Sequence, residues 1–421
     1  MARNESKRMG KGAEGIAEGG GDDRGERVGY TSSAANLQKL LERFAEWMQS
    51  GRGSLEKIIT DLDLQHREFR KLLSQAYHSK AIQVKPPEDA GLEGELANSP
   101  QLGGPRYRVL DVGYDDFFYK GAATVVLEEL QQLLGKRRDK RAALHLGCVS
   151  GRTSGGTVAA ICDEPWKKYI SGDDLPQDMF VYALNVSQTQ GFNELSGNAN
   201  VLAHALARKI KQEYPNKHVE AYGLSTELLQ TYETARESDL KAQTRRVLKN
   251  TDPGRLAGAL QYLKEHQKLT VDEEKQIRDD LKEIEGEGGA AASKLDLVIT
   301  GVGSSKSSLF RQYCAENHIE VKGLEDRLGI VGDVAYWPVT RTGEQQKLIK
   351  DGTEYEFYTA VSLGVLQEIS KGEGKKVILV ARNDPTGSKV DPIRAAVVGR
   401  YCSVVVTDSG TARDLHRTWG R

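Results

Sequence analysis

Apolar side chains change their spacing several times along the chain, and each change predicts an element. After Ala35, the residues Leu37, Leu40, Leu41, Phe44, Ala45 and Trp47 recur at three- and four-residue intervals, the spacing of an amphipathic helix. A GRGS break follows, and Leu55, Ile58, Ile59 and Leu62 then mark a second helix behind a Ser54 N-cap. Beyond a short turn at 63–65, a third helix carries Phe69, Leu72, Leu73, Ala76 and Tyr77. Residues 81–84 (AIQV) read as a short strand, stopped by Pro86 and Pro87. Helix, helix, short turn, helix and a wing-like strand is the order of a winged helix-turn-helix head, expected over 34–86.

Residues 87–106 carry Pro and Gly breakers without periodicity and are expected to be a linker. From 107 to 421 short apolar runs alternate with helical patterns. The runs at 107–112, 142–149, 179–183, 218–222, 295–300, 329–333, 376–380 and 403–407 suit strands buried on both faces of a mostly parallel sheet. Helical patterns cover 121–134, 198–212 and 356–369. This alternation predicts an α/β domain with a doubly wound sheet. One stretch interrupts it. Residues 236–293 are highly charged and read as exposed helices ending in a Gly/Ala-rich loop, a solvated insertion in preference to a functional arm.

Composition narrows the class. The 421 residues suffice for more than one core, since a domain takes about 100–200 residues. Residues 1–33 hold hardly any large apolar side chain and are expected to be disordered. No apolar run approaches the ~20 residues that span a bilayer, and the N-terminus lacks the apolar stretch of a secretory signal. A cytoplasmic protein with no membrane partner is expected. Cys148, Cys162, Cys314 and Cys402 are scattered, without metal-ligand spacing, and read as reduced thiols. No metal, cofactor or catalytic residue is assigned. A formal net charge of −1 means that any contact with nucleic acid must come from a local basic surface.

Five loops could carry chemistry. Directly after the 142–149 strand, VSGRTSGGT puts Gly151, Arg152, Thr153, Ser154, Gly155 and Thr157 at a helix start. Glycines permit close backbone approach and hydroxyls add donors, which suits a phosphate or another anion. It is neither a Walker loop nor a dinucleotide fingerprint, and a plain strand-to-helix turn is the alternative. A second Gly/Ser turn, with Gly303 and Ser304, follows the LDLVIT strand at the sheet edge where α/β ligands bind. Asp333 ends the strand at 329–333, where it could accept sugar hydroxyls or cap a turn. Lys389, near a helix start, could neutralise a phosphate as a point charge. At 406–412, Asp408 or Ser409 most simply caps the last helix. In the head, Gln65, His66, Arg67 and Arg70 lie on the first turns of the third helix, where a recognition helix meets the major groove, with Asp63 and Glu68 among them.

In this order the pieces resemble the SorC-type (DeoR/SorC) sugar-binding transcriptional regulators. LEKIITDLDLQHREFRKLLSQAYHSKAIQV is similar to that family's helix-turn-helix. VSGRTSGGT, NANVLAHALARKI, DLVITGVGSS, LGIVGDV and KVDPIRAAVVGRYCSVVVTDSGTARDL resemble the successive motifs of its ligand domain. The resemblance implies a fold like those of ribose-phosphate isomerases and glucosamine-phosphate deaminases. It implies a phosphorylated sugar as effector, a double-stranded DNA operator, and a homodimer or homotetramer. Carried over, Thr153, Ser154 and Thr157 contact phosphate or sugar, Gly303 and Ser304 form the second loop, Asp333 binds hydroxyls and Lys389 neutralises the anion. This chain departs from the family at ARNDPTGSK, where a Gly-Gly pair is usual before the Lys, and in its charged insertion. Two other readings stay open: a sugar-phosphate isomerase or deaminase, and a sugar-binding assembly protein without DNA affinity.

Overall fold

The computed structural model describes residues 37–43, 55–64, 68–69, 72, 88–112, 115–137, 139–186, 197–226, 229–238, 241–267, 269–285, 292–306, 314–315, 318–319, 328–383 and 388–420. The chain divides into two compact units, Met1–Val84 and Lys85–Arg421.

In the first unit, residues 37–43 are helical, as is α1 (Leu55–Asp61). Leu40, Ile58, Ile59, Phe69 and Leu72 are buried, so the i, i+3 and i+4 apolar positions of the sequence do face a core. Gln65, His66, Arg67 and Arg70 lie outside the described residues.

The second unit is α/β. Seven strands form its central sheet: β1 (Arg106–Leu110), β2 (Leu144–Cys148), β3 (Asp178–Ala183), β4 (His218–Tyr222), β6 (Leu297–Thr300), β12 (Lys376–Val380) and β13 (Val404–Asp408). They lie side by side as β1-β13-β12-β6-β2-β3-β4, and every neighbouring pair is parallel. The order follows from composition. LVIT, KVILV and VVVTD have no face fit for water and take the middle, where nearly every side chain is buried. HVEAY, exposed or half-buried throughout, takes an edge.

One helical layer comprises α3 (Asp115–Lys136), α4 (Arg152–Asp163) and α5 (Ala199–Glu213), packed in turn over β1, β13, β12, β6, β2, β3 and β4. A second group comprises α2 (Ala90–Ala97), α10 (Leu363–Lys371), α11 (Val390–Val398) and α12 (Ser409–Trp419), with α12 in contact with α2, α11 and the β1–β13 edge.

Four expectations change. Residues 90–97, expected as linker, form α2. The Asp89 carboxylate caps it by accepting the Leu92 N–H at 3.1 Å, Glu93 accepts the Val109 N–H at 2.8 Å, and Leu96 is fully buried. The 329–333 strand does not join the parallel sheet. As β8 (Ile330–Val334) it is the middle strand of a small antiparallel sheet, between β7 (Val302–Ser304) and β9 (Trp337–Thr340). The helix expected from 356 starts only at Leu363, behind the Ser362 cap. TEYEF alternates polar and apolar positions and is a strand, β11 (Thr353–Phe357), between β10 (Leu348–Lys350) and β5 (Leu229–Thr231). The charged insertion is packed rather than merely solvated. It holds α6 (Tyr232–Ser238), α7 (Ala242–Thr251), α8 (Pro253–His266) and α9 (Val271–Glu285), and Val247, Leu248, Leu256, Leu260, Ile277 and Ile284 join the main core cluster. Among the described residues no helix is long and apolar enough to cross a membrane.

Candidate functional site

Strand order fixes where a crevice opens. From β2 the chain proceeds outward to β3 and β4, and from β6 it proceeds the other way to β12 and β13. β2 and β6 are neighbours, so the loops leaving their carboxyl ends part from each other, the topological switch point at which open α/β sheets bind ligands.

On the β2 side, Ser150 is held twice by Asn185, which follows β3. Its N–H donates to Asn185 Oδ1 at 2.8 Å, and its Oγ accepts from Asn185 Nδ2 at 2.7 Å. Gly151 then turns at φ 142°, a conformation that L side chains rarely adopt, and the chain enters α4. No side chain caps this end of α4. A helix start without a cap presents N–H groups and the positive end of the helix dipole, and so attracts an anion. Thr153, Ser154 and Thr157 are buried here, while Arg152 is exposed. Ser154 Oγ donates to the Ser150 carbonyl at 3.3 Å, and Thr157 Oγ1 donates to the Thr153 carbonyl at 2.9 Å. The Thr157 hydroxyl therefore braces the helix. Gly155 begins the helical ladder, its N–H donating to the Gly151 carbonyl at 2.7 Å.

Lys389 reaches this helix start from the far end of the sequence. Buried at the N-cap of α11, it donates from Nζ to Thr153 Oγ1 at 3.2 Å. Its backbone N–H is held at 2.7 Å by Asn383 Oδ1, and Asn383 is bound to Thr411 and Asp414 of α12. The ammonium is thus fixed at both ends of its residue.

On the β6 side, Gly303 and Ser304 lie in β7, paired with Asp333 and Gly332 of β8. The approach is so close that a Cβ on Gly332 would lie 2.0 Å from the Gly303 carbonyl oxygen. The Ser304 hydroxyl accepts the Lys306 N–H at 3.3 Å. Asp333 is buried, and its carboxylate accepts the Tyr336 N–H at 3.2 Å and the Gly303 N–H. Burial pushes its carboxyl up to about 6, against the pull of those donors and of the Lys389 ammonium. Asp333 therefore does cap a turn, the β8–β9 turn, where Ala335 and Tyr336 take φ values of 49° and 69°. The Tyr336 hydroxyl lies 3.4 Å from Ser150 Oγ and closes the crevice from the β8–β9 side.

The structure thus joins Thr153 with Lys389, and Gly303 and Ser304 with the strand of Asp333. Asp408 caps α12, accepting the Thr411 N–H at 2.7 Å, and pairs with Arg382 at 3.0 Å. Sequence reasoning passed over Asn185 and Tyr336. An Asn closing the apolar run MFVYAL was a readable signal. Val-Ala-Tyr-Trp contains neither the Gly nor the Asn that marks a turn with two positive φ angles, so Tyr336 gave none. Among the described residues no group of His, Cys, Asp and Glu is arranged to hold a metal ion.

No protein-family model matches the chain, and no curated protein does. Solved structures are similar to it. The full-length sorbitol operon regulator SorC from Klebsiella pneumoniae is 14% identical, over 90% of this chain and 99% of its own, with a TM-score of 0.47. A DeoR family transcriptional regulator from Listeria monocytogenes is 16% identical, over 77% of this chain and 98% of its own, with a TM-score of 0.46. A 6-phosphogluconolactonase from Plasmodium vivax is 10% identical, over 78% of this chain and 99% of its own, with a TM-score of 0.36.

Proposed function

We propose that the chain is a transcriptional regulator that binds a phosphorylated sugar in the β2–β6 crevice and an operator DNA through its N-terminal unit. One observation carries the effector half. A buried lysine, Lys389, is held on Thr153 at the start of a helix without a side-chain cap, at the switch point of a parallel sheet. The helix start and the ammonium converge on one spot, and a phosphoryl group matches both. Asp333 and the Ser150–Tyr336 pair supply hydroxyl partners for the sugar beside it. The DNA half rests on the helix-turn-helix resemblance at 55–84 and on Gln65, His66, Arg67 and Arg70. A homodimer or homotetramer joins the two halves: the effector binds two arrangements of the oligomer unequally and so shifts their balance on DNA.

The test is thermal denaturation with phosphorylated sugars and their unphosphorylated parents. A ligand at 100 times its dissociation constant adds ~2.7 kcal/mol to the native state, a shift of a few degrees. A phosphorylated sugar raises the midpoint, its parent does not, and Lys389→Met removes the shift. Stabilisation that survives Lys389→Met refutes the phosphate role. A gel shift with the upstream region of its own gene tests the DNA half, and no binding even at low salt sinks it. Binding that persists when Arg67 and Arg70 are replaced would turn the head into an assembly element.

A second reading, a sugar-phosphate isomerase or deaminase, draws on Asp333 alone, whose carboxyl near 6 is suited to general acid–base work. Turnover of a ribose or glucosamine phosphate that Asp333→Asn abolishes would establish it.

A further inference from the structure

The other end of the sheet holds a cleft that the effector reading does not use. Where β1 and β13 begin, the loop leading into β1, the last turn of α10, the second half of α11 and the turn before β13 enclose about 620 Å³. That is the size of a small-molecule site, for which about 300–1,000 Å³ is usual. Lys371, Arg394 and Arg400 line it, and among the described residues no carboxylate does.

The three cations are not engaged by acids. Lys371 and Arg400 make no ion pair among the described residues. Arg394 spends its terminal nitrogens on neutral acceptors, the Arg341 carbonyl at 2.7 Å and Gln101 Oε1 at 3.3 Å. Its Nε is buried with no acceptor. The guanidinium stacks over Trp419 at 4.1 Å, which holds the fork in one orientation.

Cations at helix ends often serve only the last carbonyls. Here backbone and side-chain donors already take those carbonyls. The Gly399 N–H bonds to Ala395 and Val397, and the Tyr401 N–H to Ala396. Gln367 Nε2 takes the Gly399 carbonyl at 2.6 Å and Ser370 Oγ takes that of Arg400 at 2.6 Å. Acceptors around the cleft are consumed while charged donors remain.

We propose that this cleft is a second anion site, for a small molecule bearing phosphoryl groups, at the opposite end of the sheet from the β2–β6 crevice. Calorimetric titration of the full chain with inorganic pyrophosphate tests it at low salt, where charge pairing is least screened. In Lys389→Met, which disables the crevice, one equivalent of pyrophosphate still binds. Adding Arg400→Gln and Lys371→Gln weakens that binding by about tenfold or more, in keeping with hydrogen bonds to charged groups. Both side chains are exposed, so the fold tolerates the change, and an unaltered melting midpoint without pyrophosphate verifies this. Arg394→Gln gives the same loss in an independent variant. The proposal is overturned if Lys389→Met binds no pyrophosphate, or if the cleft variants titrate like their parent. Pyrophosphate lost from Lys389→Met alone assigns all binding to the crevice. Pyrophosphate lost only from the cleft variants keeps this site and removes the anion role from Lys389.

Discussion

Asp333 works against stability in one respect and for the site in another. Its carboxylate organises the β8–β9 turn and Gly303 through two N–H bonds, yet burial raises its carboxyl from 3.8 to about 6. Between those values the folded protein holds a proton that the unfolded chain has released, so stability rises as pH falls from 6 toward 4 and is lost again on the way up. The difference of about two units corresponds to roughly 3 kcal/mol. Asp333→Asn cannot ionise, so the stability of wild type relative to this variant increases as pH drops from 6 to 4. Urea denaturation of both proteins across that window measures the slope, and parallel curves would refute the burial effect. At this scale the sequence disclosed part of the candidate site. Thr153 and Lys389 were legible because a hydroxyl-rich helix start and a lysine before a helix are written in letters. Tyr336 was not, because its place depends on a turn that tertiary contacts impose on Ala335 and Tyr336 against their own preference.

Among the elements, the insertion separates what periodicity reveals from what charge conceals. α9 (VDEEKQIRDDLKEIE) is dominated by acids and bases, and a mean count of its residues points to solvent. Its few apolar residues decide otherwise: Ile277 and Ile284 lie a heptad apart and are 4% exposed, whereas Val271 at the helix start is 84% exposed. Ile277→Ala should therefore cost about 2–5 kcal/mol, and Val271→Ala less than about 0.5 kcal/mol. Thermal or urea unfolding distinguishes them, and equal small effects would show the insertion to be loosely attached. Strands buried on both faces were the most legible elements, since KVILV has no other stable environment, and its bounds at 376–380 agree with the expectation. β11 was lost because TEYEF is short and lies close to a helix, so one apolar pattern ran through two elements. β8 was found as a strand but misplaced, because a strand's letters do not encode its partner.

Across the whole of the larger unit, the insertion is tied to the crevice by a strap at 356–362. Asp252, at the junction of α7 and α8, accepts the Ser362 N–H at 2.8 Å. Arg255 donates to the Thr359 carbonyl, pairs with Glu356 at 3.0 Å and lies over the rings of Tyr358 and Trp337. The strap in turn bridges to Asn185, and its Ala360 N–H donates to the Leu184 carbonyl at 2.7 Å. Asn185 is the residue that holds Ser150 at the mouth of the loop before α4. A run of bonds, part-buried at Asp252 and Arg255 and buried at Asn185, therefore leads from the charged helices to the loop before α4, although the two lie about a hundred residues apart in sequence. Such runs carry coupling of about 0.5–2 kcal/mol. Arg255→Met keeps the length of the side chain and removes the bonds to Thr359 and Glu356. It should weaken binding of the proposed phosphorylated-sugar effector by about threefold to tenfold without touching the ligand. Titration of the variant beside Ile277→Ala, which loosens the insertion but keeps the strap bonds, separates the two causes. A loss confined to Arg255→Met assigns the effect to the strap. Equal losses in both would mean that the insertion acts only through general stability.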